Sequence, residues 1–385
     1  MKTILIPVVV LFLAALISGQ ELASERVLGQ LEVVATFDGP MPTGVTVANS
    51  GRIFVNFPKW GDHVEYTVAE VDAKTGKTVP YPNAEINRYG DTDNPSDRLV
   101  SVQSVAVDPT GIRLWLLDTG SLAFGPVKPG GAKLIAVDLN TNQVTKKIVF
   151  PSDVALVTSY MNDVRFDLHR GAEGMAFITD SSSAGPNGIV VVDLASGKSW
   201  RRLNDHPSTR PDPTFVAVVE GEILQMRLPG QPPAKFAVGS DGIAISSDGK
   251  TLYFCPLTSR HLYSVSVDAL ADRSKSDAEI AATVKDLGEK GGASDGLESD
   301  AEGHVYLSDY EHNAVRRRSA SGEIETLIHD PRALWPDTLS LAANGYLYFT
   351  ANQIERGAAF HNGQDLREKP YALYRVKVDG KRIQQ

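Results

Sequence analysis

The chain has 385 residues, 42% hydrophobic and 22% charged, an ordinary balance for a globular protein rather than a disordered or fibrous one. Its formal net charge is −9 with the two signs interleaved; only Arg316-Arg317-Arg318 forms a basic run, so no nucleic-acid partner is expected, and the acidic balance favours a cationic ligand or metal over an anion. The single cysteine, Cys255, excludes an internal disulfide and sits in an apolar strand, Leu252-Tyr253-Phe254-Cys255, where it reads as a small core residue.

In chain order, Met1-Lys2, an apolar run from Ile4 to Ile17 and Ser18-Gly19-Gln20 have the layout of a signal peptide over residues 1–19. The run is short for a membrane span, although a retained anchor is the alternative. The expected location is therefore secreted or periplasmic, with residues 20–385 as one domain. Leu31–Phe37 then reads as an orphan strand.

Beyond it one pattern recurs six times: a polar residue, a short apolar alternation, a tight turn, and a more hydrophobic strand. The copies begin at Thr43, Gln103, Asn162, Asp241, Asp295 and Asp337. Turns such as Asn49-Ser50-Gly51, Ser247-Asp248-Gly249 and Ala343-Asn344-Gly345 supply the residues that hairpins need. Third strands such as Lys133–Asp138, Gly188–Asp193 and His261–Val265 follow, and fourth strands such as Lys147–Phe150 and Glu325–Ile328 end most units. Four strands per unit, six units: the expectation is an all-β, six-bladed β-propeller. The last unit ends on Tyr371–Val378 and lacks a fourth strand, so the N-terminal strand is expected to complete it and cover its edge.

In such a ring the first strand of each blade lines the channel, and its start shares a face with the end of the second strand. The connections on that face are long, roughly 83–101, 119–131, 205–239 and 353–370, which marks it for function. The 205–239 insertion carries an apparent hairpin, Phe215–Val219 against Ile223–Met226, and reads as a lid.

Thr43, Gln103, Asn162, Asp241, Asp295 and Asp337 should converge near the axis as a ligand-binding ring. Converging carboxylates repel and are raised in pKa unless a cation or hydrogen-bond donors compensate. Oxygen donors at Asn162, Asp241 and Asp295 would suit a divalent cation, Ca²⁺ before Mg²⁺ and Zn²⁺ last. Single Asp-Gly steps are also ordinary turns, and only the six-fold set distinguishes the two readings. Asn56, Asp118, Asp180, Asp309 and Asn352, at the ends of the second strands, would orient the ring or contact the ligand, Asp118, Asp180, Asp309 and Asn352 being ligand-binding candidates, or would instead close their own turns. Trp60, Trp335, Tyr310 and Phe360 lie on the same face as aromatic candidates, and His312 and His361 on its loops. No HExxH, Gly-x-Ser-x-Gly or phosphate-binding loop occurs.

Several segments resemble the major royal jelly protein/yellow family. They are Arg52–Trp60, Val79-Pro80-Tyr81-Pro82, Val102-Gln103-Ser104-Val105, Leu116–Gly120, Tyr160–Asp167, Ile178–Ser182 and Trp335–Leu339. The resemblance implies a secreted six-bladed propeller that holds a small cationic or aromatic molecule in its channel. The cysteines of the insect members are missing, so their disulfides and insect-specific roles do not carry over. A more distant resemblance, to gluconolactonase/regucalcin propellers, falls on Thr43, Asn162, Asp241 and Asp295, with Thr for Glu and Asp for Asn at two of the four positions. It implies the alternative of a metal-dependent lactone or ester hydrolase. There Asn162, Asp241 and Asp295 would hold the cation, Asp337 would act as base, and Asp295 would also serve catalysis. The oligomeric state is left open.

Overall fold

The computed structural model describes residues 26–90 and 92–385, so the expected signal peptide lies outside the described residues. Six four-stranded antiparallel sheets follow one another around an axis. Their innermost strands are Val45–Val47, Val102–Val107, Met161–Asp167, Ser240–Ile245, Leu297–Ser299 and Pro336–Leu341. Each innermost strand packs against the next, and the sixth packs against the first, which closes the ring.

The alternation of each strand feeds two interfaces, because every blade is sandwiched between two others. Accordingly the inner strands Val102–Val107, Ser240–Ile245 and Pro336–Leu341 are buried along their whole length, whereas the outer strand Gln143–Val149 is mostly exposed. Apolar clusters fill the interfaces one by one. Phe54, Leu99 and Leu116 join blades one and two; Trp115, Met161 and Ile178 join two and three. Phe177, Ile243 and Phe254 join three and four; Cys255, Leu297 and Leu307 join four and five. Tyr306, Leu347 and Phe349 join five and six, and Val55, Tyr348 and Leu373 join six to one. Cys255 is fully buried there, and burial pushes its thiol pKa up, away from reactivity.

Glu32–Phe37 pairs antiparallel with Tyr371–Lys377 as the outermost strand of blade six, so the ring is closed by strands from both ends of the sequence. Arg375 holds Glu32 across that seam at 2.7 Å. The 205–239 insertion forms two short hairpins rather than the single longer one expected. Val218–Val219 pairs with Glu222–Ile223, and Gln225–Met226 with Ala234–Lys235. Pro229-Gly230 lies between the second pair, and Gly230 has φ +70°. Phe215, Ala217 and Val219 anchor the insertion on Leu257, Tyr310 and Trp335.

At the other end of the channel the segment 379–385 crosses the axis. Arg382 donates to the carbonyls of Val47 (2.9 Å) and Val107 (2.8 Å), and Gln385 accepts from the Leu168 amide at 2.7 Å. Beneath this strap remains a cavity of about 70 Å³.

Candidate functional site

A cavity of about 510 Å³ occupies the end of the channel where the inner strands begin. Five of the six ring positions line it: Gln103, Asn162, Asp241, Asp295 and Asp337. The backbone explains how they converge. In blades two, three, four and six the pairing register shifts at the start of the inner strand: between Val102 and Ser104, Met161 and Val164, Ser240 and Ile243, and Pro336 and Leu339. Each irregularity falls on a ring residue, and a bulge of this kind re-aims a side chain that regular pleating would send elsewhere.

The glycines after the aspartates serve packing rather than turning. A Cβ on Gly242 would lie 2.4 Å from the Asp295 carbonyl oxygen, and one on Gly296 2.5 Å from that of Asp337. Neighbouring inner strands therefore touch backbone to backbone at the axis, and only glycine permits it.

The three carboxyls form one electrostatically coupled array. Asp295 acts on both Asp241 and Asp337 and accepts from the Trp335 indole Nε1 at 2.7 Å. Asn162 Nδ2 donates to Asp241 Oδ1, and Asn352 Nδ2 donates to Asp337 Oδ2 at 2.6 Å. Burial raises the pKa of all three carboxyls. For Asp241 and Asp337 the Asp295 charge adds to the effect and holds both well above the usual carboxylate range. The donors around Asp295 oppose burial and leave it at about 6. Asp295 thus ionises first, while Asp241 and Asp337 favour the protonated form. A fourth buried carboxyl, Asp163, bonded to the Ser104 hydroxyl at 2.8 Å, acts on the array from behind.

Above this floor the walls are aromatic and apolar. Trp60 stacks on Phe124 with centroids 5.0 Å apart, and Phe124 lies 5.1 Å from Tyr160. Trp60 Nε1 donates to the Tyr160 hydroxyl (2.5 Å), which donates in turn to Gln103 Oε1 (2.9 Å). Phe124 sits at φ +58°, a backbone region that a bulky residue rarely adopts, and its ring is 60% exposed. Opposite, Phe236 meets Phe360 edge to face at 5.2 Å, with Met226 and Val238 of the insertion beside them. At the rim Arg367 is paired with Asp62 (2.8 Å) and Asp365 (2.7 Å).

The other sequence candidates lie behind these walls. Thr43 is fully buried, and its hydroxyl accepts from Asn56 Nδ2 at 2.8 Å. Asp118 accepts from the Val100 (2.7 Å) and Ser101 (3.0 Å) amides and pairs with buried Lys133 at 2.7 Å. Asp180 accepts from the Tyr160 amide (2.8 Å) and pairs with Arg201 at 2.8 Å. Asp309 pairs with Arg316 (2.7 Å) and His312 (2.9 Å). Asn352 reaches the site only through Asp337. Tyr310 and Trp335 are fully buried and stacked at 4.0 Å behind Asp295, while Trp60 and Phe360 line the cavity. The sequence reading missed Asp163, Phe124, Phe236 and Arg367. Only Asp163 had a local signal, as the acid next to a ring residue.

Asn162, Asp241 and Asp295 offer the oxygen donors that a hard cation takes. In this geometry, however, Asp241 Oδ1 accepts from Asn162 Nδ2 and Asp295 Oδ2 accepts from the Trp335 indole. Among the described residues no group of three His, Cys, Asp or Glu side chains is disposed to hold a metal ion. As arranged, the set does not fit a metal centre.

The sequence profile of the major royal jelly protein family matches residues 100–380. The chain belongs to that family. Among curated relatives it is 26% identical over 246 residues to protein yellow of Drosophila guanche, an alignment that covers 62% of this chain and 41% of that protein. The match to protein yellow of Drosophila melanogaster has the same identity and covers 43% of that protein. The chain thus spans about two-fifths of the length of the curated relatives it matches. Among solved structures, regucalcin of Agrobacterium tumefaciens superposes with a TM-score of 0.55 at 15% identity, over 94% of this chain and all of that one. A gluconolactonase of Xanthomonas campestris superposes at 0.53 and 12% identity, over 91% of this chain and 89% of that one. These likenesses show a shared propeller fold. They agree with a royal jelly family member whose more distant resemblance is to the lactonase propellers. No helix among the described residues is long and apolar enough to cross a membrane.

Proposed function

We propose that this royal jelly family member is a secreted binding protein that holds a small organic cation with an aromatic or apolar body in its channel. One observation carries the reading: a buried carboxyl array lies at the floor of an aromatic-walled cavity of about 510 Å³, with no Lys or Arg among the described residues paired to it. The basic group at the rim, Arg367, is already bound to Asp62 and Asp365. An ammonium placed against Asp295 would supply the missing positive charge. Its body would lie between the Trp60–Phe124 stack and the Phe236–Phe360 pair, where cation–π and stacking contacts add to burial.

The test is calorimetric titration of the mature protein with a panel of aromatic and aliphatic amines, with catechols as uncharged controls. At least one amine should bind one-to-one. Asp295→Asn should weaken it at least thirtyfold, since removing one partner of a buried charge pair costs about 2–5 kcal/mol. If no amine binds and the purified protein carries a stoichiometric divalent metal, the binding reading fails and the metal-dependent hydrolase replaces it.

A further inference from the structure

On the side of the channel floor away from the carboxyl array, the hydrogen bonds of three side chains fix one another. Trp60 Nε1 is a donor only, and it gives its proton to the Tyr160 hydroxyl at 2.5 Å. Burial pushes the Tyr160 phenol pKa up, so the hydroxyl keeps its own proton and donates it to Gln103 Oε1 at 2.9 Å. Turning the Gln103 amide over would set Nε2 against that hydroxyl and leave the phenol proton unaccepted in a residue only 7% exposed. The chain from Trp60 through Tyr160 therefore decides which way the amide faces.

The free end of that amide is Nε2. Gln103 is 6% exposed and lines the cavity; Nε2 donates to no described residue, yet it is not sealed within the protein, so its N–H groups open on the cavity. On the neighbouring inner strand, Asn162 is its complement. Asn162 spends Nδ2 on Asp241 Oδ1, and its Oδ1, with no partner among the described residues, is likewise open to the cavity. An unused donor of blade two thus stands next to an unused acceptor of blade three. In a ring of six, blades two and five are opposite, so Gln103 faces Asp295 across the axis.

We infer, resting on the cation reading of the channel, that Gln103 with Asn162 beside it sets the specificity of the site, selecting cations that carry a neutral hydroxyl group at the end remote from the ammonium. A hydroxyl accepts from Gln103 Nε2 and donates to Asn162 Oδ1. A methyl group does neither, and a second ammonium, a donor only, serves Asn162 alone. A carboxylate would accept from Gln103 but would bring a second negative charge to the cavity that holds Asp295. A bound cation without the hydroxyl covers both amides and leaves them unpaired, which is how a polar site rejects an isosteric ligand.

A series of α,ω-amino alcohols, from 4-aminobutan-1-ol to 8-aminooctan-1-ol, measures this directly. Each is titrated calorimetrically at pH 8 into the full mature protein, beside the n-alkylamine in which a methyl group replaces the hydroxyl. The preference for the hydroxyl should peak at one chain length, the one that spans the axis, and reach at least about tenfold there. Gln103→Met should abolish the peak. A merely structural role for Gln103 would weaken both members of a pair alike and leave their ratio as in the wild type. If Gln103→Met fails to fold, the wild-type series decides alone. Amines that bind with no preference for the hydroxyl at any length, or a ratio that survives Gln103→Met, overturn the inference while the cation reading stands. If neither series binds, both fall together.

Discussion

Replacing Asp295 by Asn removes the one carboxyl of the channel array that ionises near neutrality, while keeping the shape and an oxygen to accept from Trp335. In the folded protein Asp295 titrates at about 6, against about 3.9 for an unfolded aspartate. A group whose pKa rises on folding contributes its full stability below the unfolded value and loses it as pH rises through the folded one. The loss complete by pH 7.5 is two pKa units, about 3 kcal/mol. With a melting entropy of about 2.1 cal/mol/K per residue, that corresponds to a shift on the order of 4 °C. Asp295→Asn should therefore melt higher than the wild type at pH 7.5, by that amount, and the difference should vanish at pH 4. Differential scanning calorimetry of both proteins across this range is the assay. Taking the difference cancels Glu355, which also titrates, at about 7, and His312, whose pKa the Asp309 carboxylate raises. Equal melting temperatures at pH 7.5, or a gap that persists at pH 4, would refute the ionisation order deduced for the array.

Lys133→Met leaves the buried Asp118 with backbone amides but no counter-charge, and should lose about 3–5 kcal/mol in chemical denaturation; an unchanged midpoint would show that the pair is not structural. Gly242→Ala forces a methyl group to 2.4 Å from the Asp295 oxygen and should cost about 1–3 kcal/mol as well as weaken the channel ligand. Gly39→Ala, with open space at its Cβ, is the neutral control in the same thermal melts. Phe124→Ala removes the exposed ring stacked on Trp60. It should reduce affinity for aromatic amines by about 0.5–2 kcal/mol while sparing aliphatic ones, and paired titrations of phenethylamine and hexylamine would show the difference.

The ring was readable because a propeller repeats one solution six times. Aligning Gln103, Asn162, Asp241, Asp295 and Asp337 in sequence amounts to placing them around one axis, and all five line the cavity. Thr43 shows the limit of the method. It holds the same place in its repeat, but its hydroxyl is bound by Asn56, a contact that the pattern does not encode. Asp118 and Asp180 each bond amides just before their own inner strands and also the Gly120 and Ser182 amides of their own turns, so both local contacts and ring support meet at these residues. Phe124, Phe236 and Arg367 come from loops whose paths are set by packing between distant segments, and no local periodicity marks them.

Sequence could foresee that converging carboxylates are raised in pKa, but not how much of their charge survives. It therefore placed oxygen donors at Asn162, Asp241 and Asp295 for a divalent cation. The structure gives a different sum, because burial and the Asp295 charge hold Asp241 and Asp337 well above the usual carboxylate range and favour their protonated forms. With Asp241 and Asp337 neutral, the array presents one negative charge at neutral pH, held by the Trp335 indole and flanked by the amides of Asn162 and Asn352. A single positive charge on an organic body matches that array without displacing its protons. A divalent metal would have to expel both protons.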